Sequence, residues 1–369
     1  RRCIMKNIAV VGAGKIGEMI VELLGSTGDY QVTLLDGNAA QLERFKPSDR
    51  LQTRQLDVSD IPALTEVLKG HFAVLSATPF YLTEAIATAA KEAKVHYLDL
   101  TEDVASTERV KALAKGAETA FIPQCGLAPG FISIVANHIA AKFDELQSIR
   151  MRVGALPQYP SNSLNYNLTW STDGVINEYI EPCVAISGGE LTQVPAMEQL
   201  EHFSLDGVRY EAFNTSGGLG TLAETLAGKV DNLSYQTIRY PGHCEIMKTL
   251  LNDLQLANRR DVLKDVLENA VPATMQDVVL IFVTVSGKKD GELLQESYAN
   301  KVYAQEINGK LHSAIQLTTA GSICAVLDLL ANNQIPQKGF VKQESISLPQ
   351  FLENRFGAYY DLQALSQAA

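Results

Sequence analysis

The sequence predicts an α/β protein in which a doubly wound parallel sheet carries an inserted α+β domain built on a mostly antiparallel sheet. Three observations predict it. Short apolar runs alternate with helical patterns over residues 1–125. A glycine-rich turn follows the first of those runs. Long strand-like runs joined by turns fill the middle of the chain.

Ile8 to Val11 is the first strand, and Gly12 begins the turn. Ile16, Met19, Ile20, Leu23 and Leu24 then recur at helical spacing. Gln31 to Leu35 is a second strand stopping at Asp36, and Leu51 to Leu56 a third stopping at Asp57. Ile61 to Leu68 reads as a helix, with Pro62 tolerated in its first turn because the missing N–H has no partner there. Ala73 to Leu75, Val95 to Leu98 and Ala120 to Ile122 add three strands, with a helix at Tyr81 to Ala93. Farther on, residues 148–153, 166–170, 208–213 and 234–240 read as strands, and Ser187-Gly188-Gly189 as a hairpin turn. Asp277 to Val285 pairs through a turn at Gly287 to Gly291 with Gln295 to Ala304. Helical patterns at Thr318 to Ala331 and Leu348 to Phe356 close the chain.

At 369 residues the chain exceeds one usual domain. The expected division is 1–125 for the parallel sheet, 126–309 for the insertion, and 310–369 for a segment returning to the first domain. A hydrophobic share of 46% supplies a core, and a net charge of −11 argues against nucleic acid or an anionic membrane as partner. The apolar stretches are broken by charge before a membrane span's length. Five cysteines stand apart with no CxxC pair, which fits a reduced, cytoplasmic setting better than a disulfide framework. Arg1 to Ile4 precede Met5 and read as a start-site remnant, too short for a signal peptide.

Gly12-Ala13-Gly14-Lys15-Ile16-Gly17 matches G-x-G-x-x-G between a strand and a helix, the Rossmann fingerprint. The first glycine permits the turn, the second lets backbone approach a pyrophosphate, and the third lets helix pack on strand. The helix N-terminus then presents free N–H groups to the phosphates. Asp36 ends the next strand nineteen residues after Gly17, where a carboxylate accepts from an adenosine ribose and repels a 2′-phosphate. Arg44, the nearest following arginine, comes too late in the sequence to sit beside that ribose. The expected cofactor is therefore NAD rather than NADP. Asp57 and Val58 are placed beside the adenine, and Ala77, Thr78 and Pro79 along the dinucleotide, because ligands bind beyond the carboxyl ends of the strands. No His/Cys/Asp cluster has metal-ligand spacing, so no catalytic metal is expected.

Several segments resemble the saccharopine dehydrogenase-like family, most closely its lysine 6-dehydrogenase branch. They are Cys125-Gly126-Leu127-Ala128-Pro129-Gly130, Val153-Gly154-Ala155-Leu156-Pro157, Tyr166 to Trp170 with Glu178-Tyr179, Thr215 to Leu219, and Arg239-Tyr240-Pro241-Gly242-His243. The resemblance implies a Rossmann domain completed by C-terminal residues, with the inserted domain serving substrate and subunit contacts. Fungal glutamate-forming members carry aspartate where Ala128 stands and a cysteine near Val153, a difference that points to lysine itself as substrate.

Oxidising a C–N bond needs a hydride acceptor, a proton acceptor and groups that hold the amino acid. Arg239 is a candidate for the substrate carboxylate, or for a structural salt bridge. His243 is a candidate general base, or a packing histidine. Tyr240 would orient either partner, and Asp99 would hold the ammonium or cap the following helix. Trp170 walls a pocket or joins the core. Thr215, Ser216 and Gly217 form a loop whose N–H groups suit a carboxylate, or one that needs glycine torsions. Cys125 reads as a small packing residue rather than a nucleophile. The leading expectation is a lysine 6-dehydrogenase forming 2-aminoadipate 6-semialdehyde. A saccharopine dehydrogenase is the alternative, and a non-catalytic NAD-binding sensor or scaffold protein a third reading. The apolar run Val278 to Val285 and the resemblance together imply a homodimer.

Overall fold

The computed structural model describes residues 5–361, so the Arg1–Ile4 segment, with Cys3, lies outside the described residues. The chain divides into two compact units, one formed by Arg1–Phe131 with Thr318–Ala369 and one by Ile132–Leu317.

The first unit alternates strand and helix: β1 (Lys6–Val11), α1 (Lys15–Gly25), β2 (Tyr30–Asp36), α2 (Ala39–Leu42), β3 (Leu51–Gln55), α3 (Ile61–Leu68), β4 (Ala73–Ser76), α4 (Thr83–Ala93), β5 (His96–Asp99), α5 (Val104–Ala114) and β6 (Ala120–Ile122). The strands lie side by side in the order β3-β2-β1-β4-β5-β6, all parallel. The order reverses beside β1, so the carboxyl ends of β1 and β4 form the topological switch point at which such sheets bind ligands. One face of this sheet closes under α3, α4 and α5. Leu64, Leu68, Ile86, Ala90 and Val110 pack there on Val11, Val74, Tyr97 and Phe121, all buried.

The second unit begins in α6 (Phe131–Ala140). It continues through β7 (Glu145–Pro157), α7 (Thr172–Ile180), β8 (Cys183–Ser187), β9 (Glu190–Val194), β10 (Glu201–Leu205), β11 (Val208–Asn214), α8 (Leu222–Leu226), β12 (Val230–Arg239), α9 (His243–Lys248), α10 (Arg260–Ala270), β13 (Asp277–Lys289), β14 (Glu292–Tyr303), β15 (Gln305–Ile307) and β16 (Lys310–His312). Its large sheet runs β10-β11-β12-β7-β13-β14, with the β8–β9 hairpin attached to β12. Only the β12–β7 pairing is parallel, so the sheet is mixed and mostly antiparallel.

Two local expectations change. Tyr166 to Trp170 is not a strand; Leu168 makes only an isolated bridge to Ala273. The alternation that suggests a strand instead seats Tyr166 in a buried cluster with Leu168 and Trp170 packed against it. The second hairpin turns later than the glycines suggest, at Asp290-Gly291, both with positive φ. Gly287 stays inside β13 at a register shift, where any side chain would strike the Glu145 carbonyl.

The chain then returns through α11 (Ala314–Ala331), β17 (Gly339–Phe340) and α12 (Leu348–Glu353). β17 pairs parallel with β6 and completes a seven-stranded sheet. α11 is longer and more apolar than the sequence reading allows: its eighteen residues suffice to cross a membrane, yet 89% of them are buried, as in a core helix. Its buried Asp328 accepts from the Tyr30 hydroxyl, Asn354 and Arg355, and Arg355 also meets Asp29. Asp277 caps the helix start, accepting from the N–H groups of Ala314 and Ile315 at 2.6 and 3.0 Å. Four cysteines, Cys125, Cys183, Cys244 and Cys324, are free and buried.

Candidate functional site

The glycine turn is built by steric necessity at two positions and left open at a third. Gly12 has φ +102, and a Cβ there would stand 2.5 Å from the Ala77 carbonyl oxygen. Gly17 lies so close over the Gly12 carbonyl that any side chain would overlap it. Gly14 has nothing within 4 Å of its Cβ direction, is exposed, and caps α1 without a side-chain hydrogen bond. Gly14 therefore leaves bare backbone at the first turn of α1, where N–H groups lack intrahelical partners, and this fits a pyrophosphate. Lys15 is exposed and Ile16 half-buried at the rim.

Asp36 ends β2 and reaches back to the turn. Its Oδ2 accepts from Ala13 N at 2.7 Å, and its Oδ1 from Asn38 N at 2.7 Å. Each carboxylate oxygen retains a lone pair, so ribose hydroxyls still find an acceptor. Asp57 is exposed and takes both the N–H and the hydroxyl of Ser59, which hold its carboxyl below the usual range. Val58 is buried in the core beside Leu35, so its side chain is structural. Ala77 and Thr78 are half-buried next to the turn, Pro79 is exposed, and the Thr78 hydroxyl pairs with Ser76 at 2.9 Å.

Arg44, which the sequence places too late to sit beside the ribose, reaches the glycine turn itself. The short helix α2 folds the chain back, and Arg44 Nη2 donates to the Ala13 carbonyl at 2.5 Å. Its other arm pairs with Glu18 at 3.3 Å.

Asp99 lies buried at the end of β5. It accepts from the Tyr97 hydroxyl at 2.6 Å, Gln124 N at 2.8 Å and Thr101 N at 3.0 Å. Burial pushes its carboxyl up against the pull of those bonds. Capping of α5 falls to Asp103 instead. Gln124, which the sequence does not single out, sits just past β6 in the left-handed region with φ +65. Nothing in a glutamine's chemistry announces that backbone. Cys125 is buried against Gln343 and its thiol is pushed well up by burial, as befits a packing residue.

In the second unit Arg239 and His243 meet around Tyr179. Arg239 is buried, with Nε donating to the Tyr179 hydroxyl at 2.9 Å and its guanidinium 4.9 Å from the Tyr166 ring centre. His243 Nε2 lies 2.9 Å from the same hydroxyl, and Nδ1 lies 2.9 Å from the Leu164 carbonyl. Burial, then the Arg239 charge, pushes the imidazole down to about 3. A general base near neutrality needs an open nitrogen and a pKa close to 7; here both nitrogens are engaged and the ring is neutral. Tyr240 is not brought to this cluster. It packs with Tyr210 in a separate core cluster, and its hydroxyl donates to the Pro157 carbonyl at 2.8 Å. Trp170 is half-buried over Gly174, where a side chain would overlap its ring. The Thr215 hydroxyl pairs with Thr237 at 2.6 Å, Ser216 N donates to the Glu178 carbonyl at 3.0 Å, and Gly217 has φ +90. Glycine torsion and local bonding thus account for this loop. Among the described residues no group of acidic, histidine and cysteine side chains is arranged to hold a metal.

Comparison with known proteins covers nearly the whole chain. Residues 8–122 match the Saccharopine dehydrogenase NADP binding domain and residues 126–356 the Saccharopine dehydrogenase C-terminal domain. A mouse relative, Alpha-aminoadipic semialdehyde synthase, mitochondrial, is 21% identical over 90% of this chain. The chain spans 36% of that relative's length. The Saccharopine dehydrogenase [NADP(+), L-glutamate-forming] of Pyricularia oryzae is 22% identical over 67% of this chain and 57% of its own. Apo saccharopine dehydrogenase (L-Glu forming) from Saccharomyces cerevisiae shares the fold, with a TM-score of 0.78, 17% identity, and coverage of 98% of this chain and 97% of that one. These names support the family and not its lysine 6-dehydrogenase branch.

Proposed function

We propose a function on the premise that this chain belongs to the saccharopine dehydrogenase family: it is an NAD-dependent oxidoreductase acting on the C–N bond at the ε carbon of lysine. The observation that carries the reading is the glycine turn, open only at Gly14 and flanked by Asp36, within a chain that matches this family over residues 8–122 and 126–356.

A bound nicotinamide dinucleotide would supply the hydride acceptor for the ε carbon. Gly14 and the start of α1 would hold its pyrophosphate, and Asp36 would accept from its ribose hydroxyls. As hydride leaves, the nitrogen lone pair forms C=N and the amine proton passes to water, since both His243 nitrogens are engaged and Asp99 is buried under three hydrogen bonds. Water then hydrolyses the imine to 2-aminoadipate 6-semialdehyde and ammonia. NAD is favoured over NADP by the Asp36 carboxylate, which repels a 2′-phosphate. A homodimer and a cytoplasmic setting belong to the same reading.

A second reading, saccharopine as substrate, is favoured by the names of the relatives. There the same carbon carries a glutamate nitrogen, and hydrolysis releases glutamate. Ala128, in the position where fungal members carry aspartate, favours free lysine. Reduction of the dinucleotide, followed at 340 nm with each substrate, tests both. Turnover of lysine alone supports the first reading and turnover of saccharopine alone the second. Absence of turnover with both, in protein that binds NADH, rejects the two together.

A further inference from the structure

We propose that Arg44 is a latent ligand for a 2′-phosphate, so that Asp36 alone keeps this chain on NAD. The inference rests on the reading of the glycine turn as a dinucleotide site and concerns which residues set its choice.

The two ends of Ala13 carry the argument. Its N–H donates to Asp36 at 2.7 Å, and its carbonyl accepts from Arg44 at 2.5 Å. A carboxylate and a guanidinium therefore flank one residue of the turn. Arg44 is further fixed by Gln41 O at 3.4 Å and by Glu18 at 3.3 Å, and its guanidinium lies 5.6 Å from the Phe45 ring centre. The side chain keeps 46% of its surface in solvent, so donors remain open to a ligand. The sequence reading places Arg44 too far along the chain to sit beside the ribose. The fold brings it to the glycine turn, because α2 turns the chain back within eight residues of Asp36.

NADP differs from NAD by a phosphate carrying nearly two negative charges. Asp36 repels that group, and removing its charge leaves Arg44 as a forked, permanently charged donor at the same rim. Glu18 competes for the guanidinium only through an exposed ion pair, which is weak. A single neutral substitution at Asp36 is then enough to admit NADP, with no second substitution.

The test is the dissociation constants of NADH and NADPH, measured by fluorescence titration at two salt concentrations. It compares the wild type with Asp36→Ser, Asp36→Asn and each of these combined with Arg44→Ala. Asp36→Asn keeps an acceptor for Ala13 N and guards against loss of the turn in the serine variant. The expected result is NADPH binding tightened by about tenfold or more in either single variant, the worth of one charge-assisted contact. The gain disappears when Arg44 is also removed and shrinks at high salt. Single variants with no gain, or double variants that keep it, overturn the inference. If wild-type protein binds neither dinucleotide, the underlying reading fails instead.

Discussion

The Tyr179 hydroxyl bridges a neutral imidazole and a guanidinium, standing 2.9 Å from Nε2 of His243 while accepting from Nε of Arg239. The Leu164 carbonyl only accepts, so Nδ1 of His243 carries a hydrogen. Burial and the Arg239 charge keep the imidazole neutral in the folded protein, so Nε2 accepts from Tyr179. Unfolded, it protonates below 6.5; folded, it resists down to about 3. Its stabilising share is fully present above pH 6.5 and is lost as pH falls from 6.5 toward 3, by up to about 1.4 kcal/mol per pH unit. His243→Gln should cost stability at pH 7.5 and cost progressively less at pH 5 and 4. Urea unfolding at each pH checks this; parallel curves for the two proteins would refute it.

Asp277 works in the opposite direction. Burial raises its carboxyl from 3.8 to about 6. The folded state thus binds a proton between about pH 6 and 4 that the unfolded state does not, and stability contributed by that proton is lost as pH rises through 6. Asp277→Asn removes this term, so its acid limb should be steeper than that of the wild type in the same unfolding series. It should also lose about 1 to 2 kcal/mol at pH 7.5, because one of the two α11 caps goes. An acid limb as shallow as the wild type's would show that Asp277 does not titrate in this range.

Gly14 and Gly17 should separate binding from folding. Gly17→Ala drives a methyl into the Gly12 carbonyl and should lower Tm by several degrees. Gly14→Ala meets open space and should leave Tm within about two degrees while weakening NADH binding by about tenfold or more. Calorimetric titration and thermal melts of both variants decide it. Normal NADH affinity in Gly14→Ala would move the pyrophosphate elsewhere.

Arg239 tests whether the tyrosine cluster is scaffold or substrate pocket. Its burial and its Tyr179 and Ile238 contacts predict that Arg239→Ala costs about 3 kcal/mol or more of stability. An unchanged melting temperature with a raised KM would return the guanidinium to the substrate carboxylate.

What the sequence revealed of this molecule was what depends on near neighbours. The glycine spacing and Asp36 at a strand end are set within one β-α-β unit, so both were readable. The contact of Arg44 with the turn was not readable, because distance along the chain says little of distance in space and α2 shortens it. The pattern at Tyr166 to Trp170 satisfies a strand's periodicity, but its side chains are claimed by a cluster drawn from α7, α9 and α10. His243 titrates near neutrality as a free side chain; only its surroundings, supplied by Leu164, Tyr179 and Arg239, remove that property.

The late arrival of β17 sets an order of events on the ribosome. β6 acquires its outer neighbour only when Gly339–Phe340 has been made. By then residues 132–317 have emerged with every strand of their own sheet. At about 5 to 20 residues per second, the nucleotide-binding sheet waits roughly ten to forty seconds with β6 as a bare edge. An unpaired edge strand is a template for any other nascent chain within reach. A nascent chain that stalls between residues 317 and 339 carries a complete insertion sheet beside a β6 edge that still lacks β17.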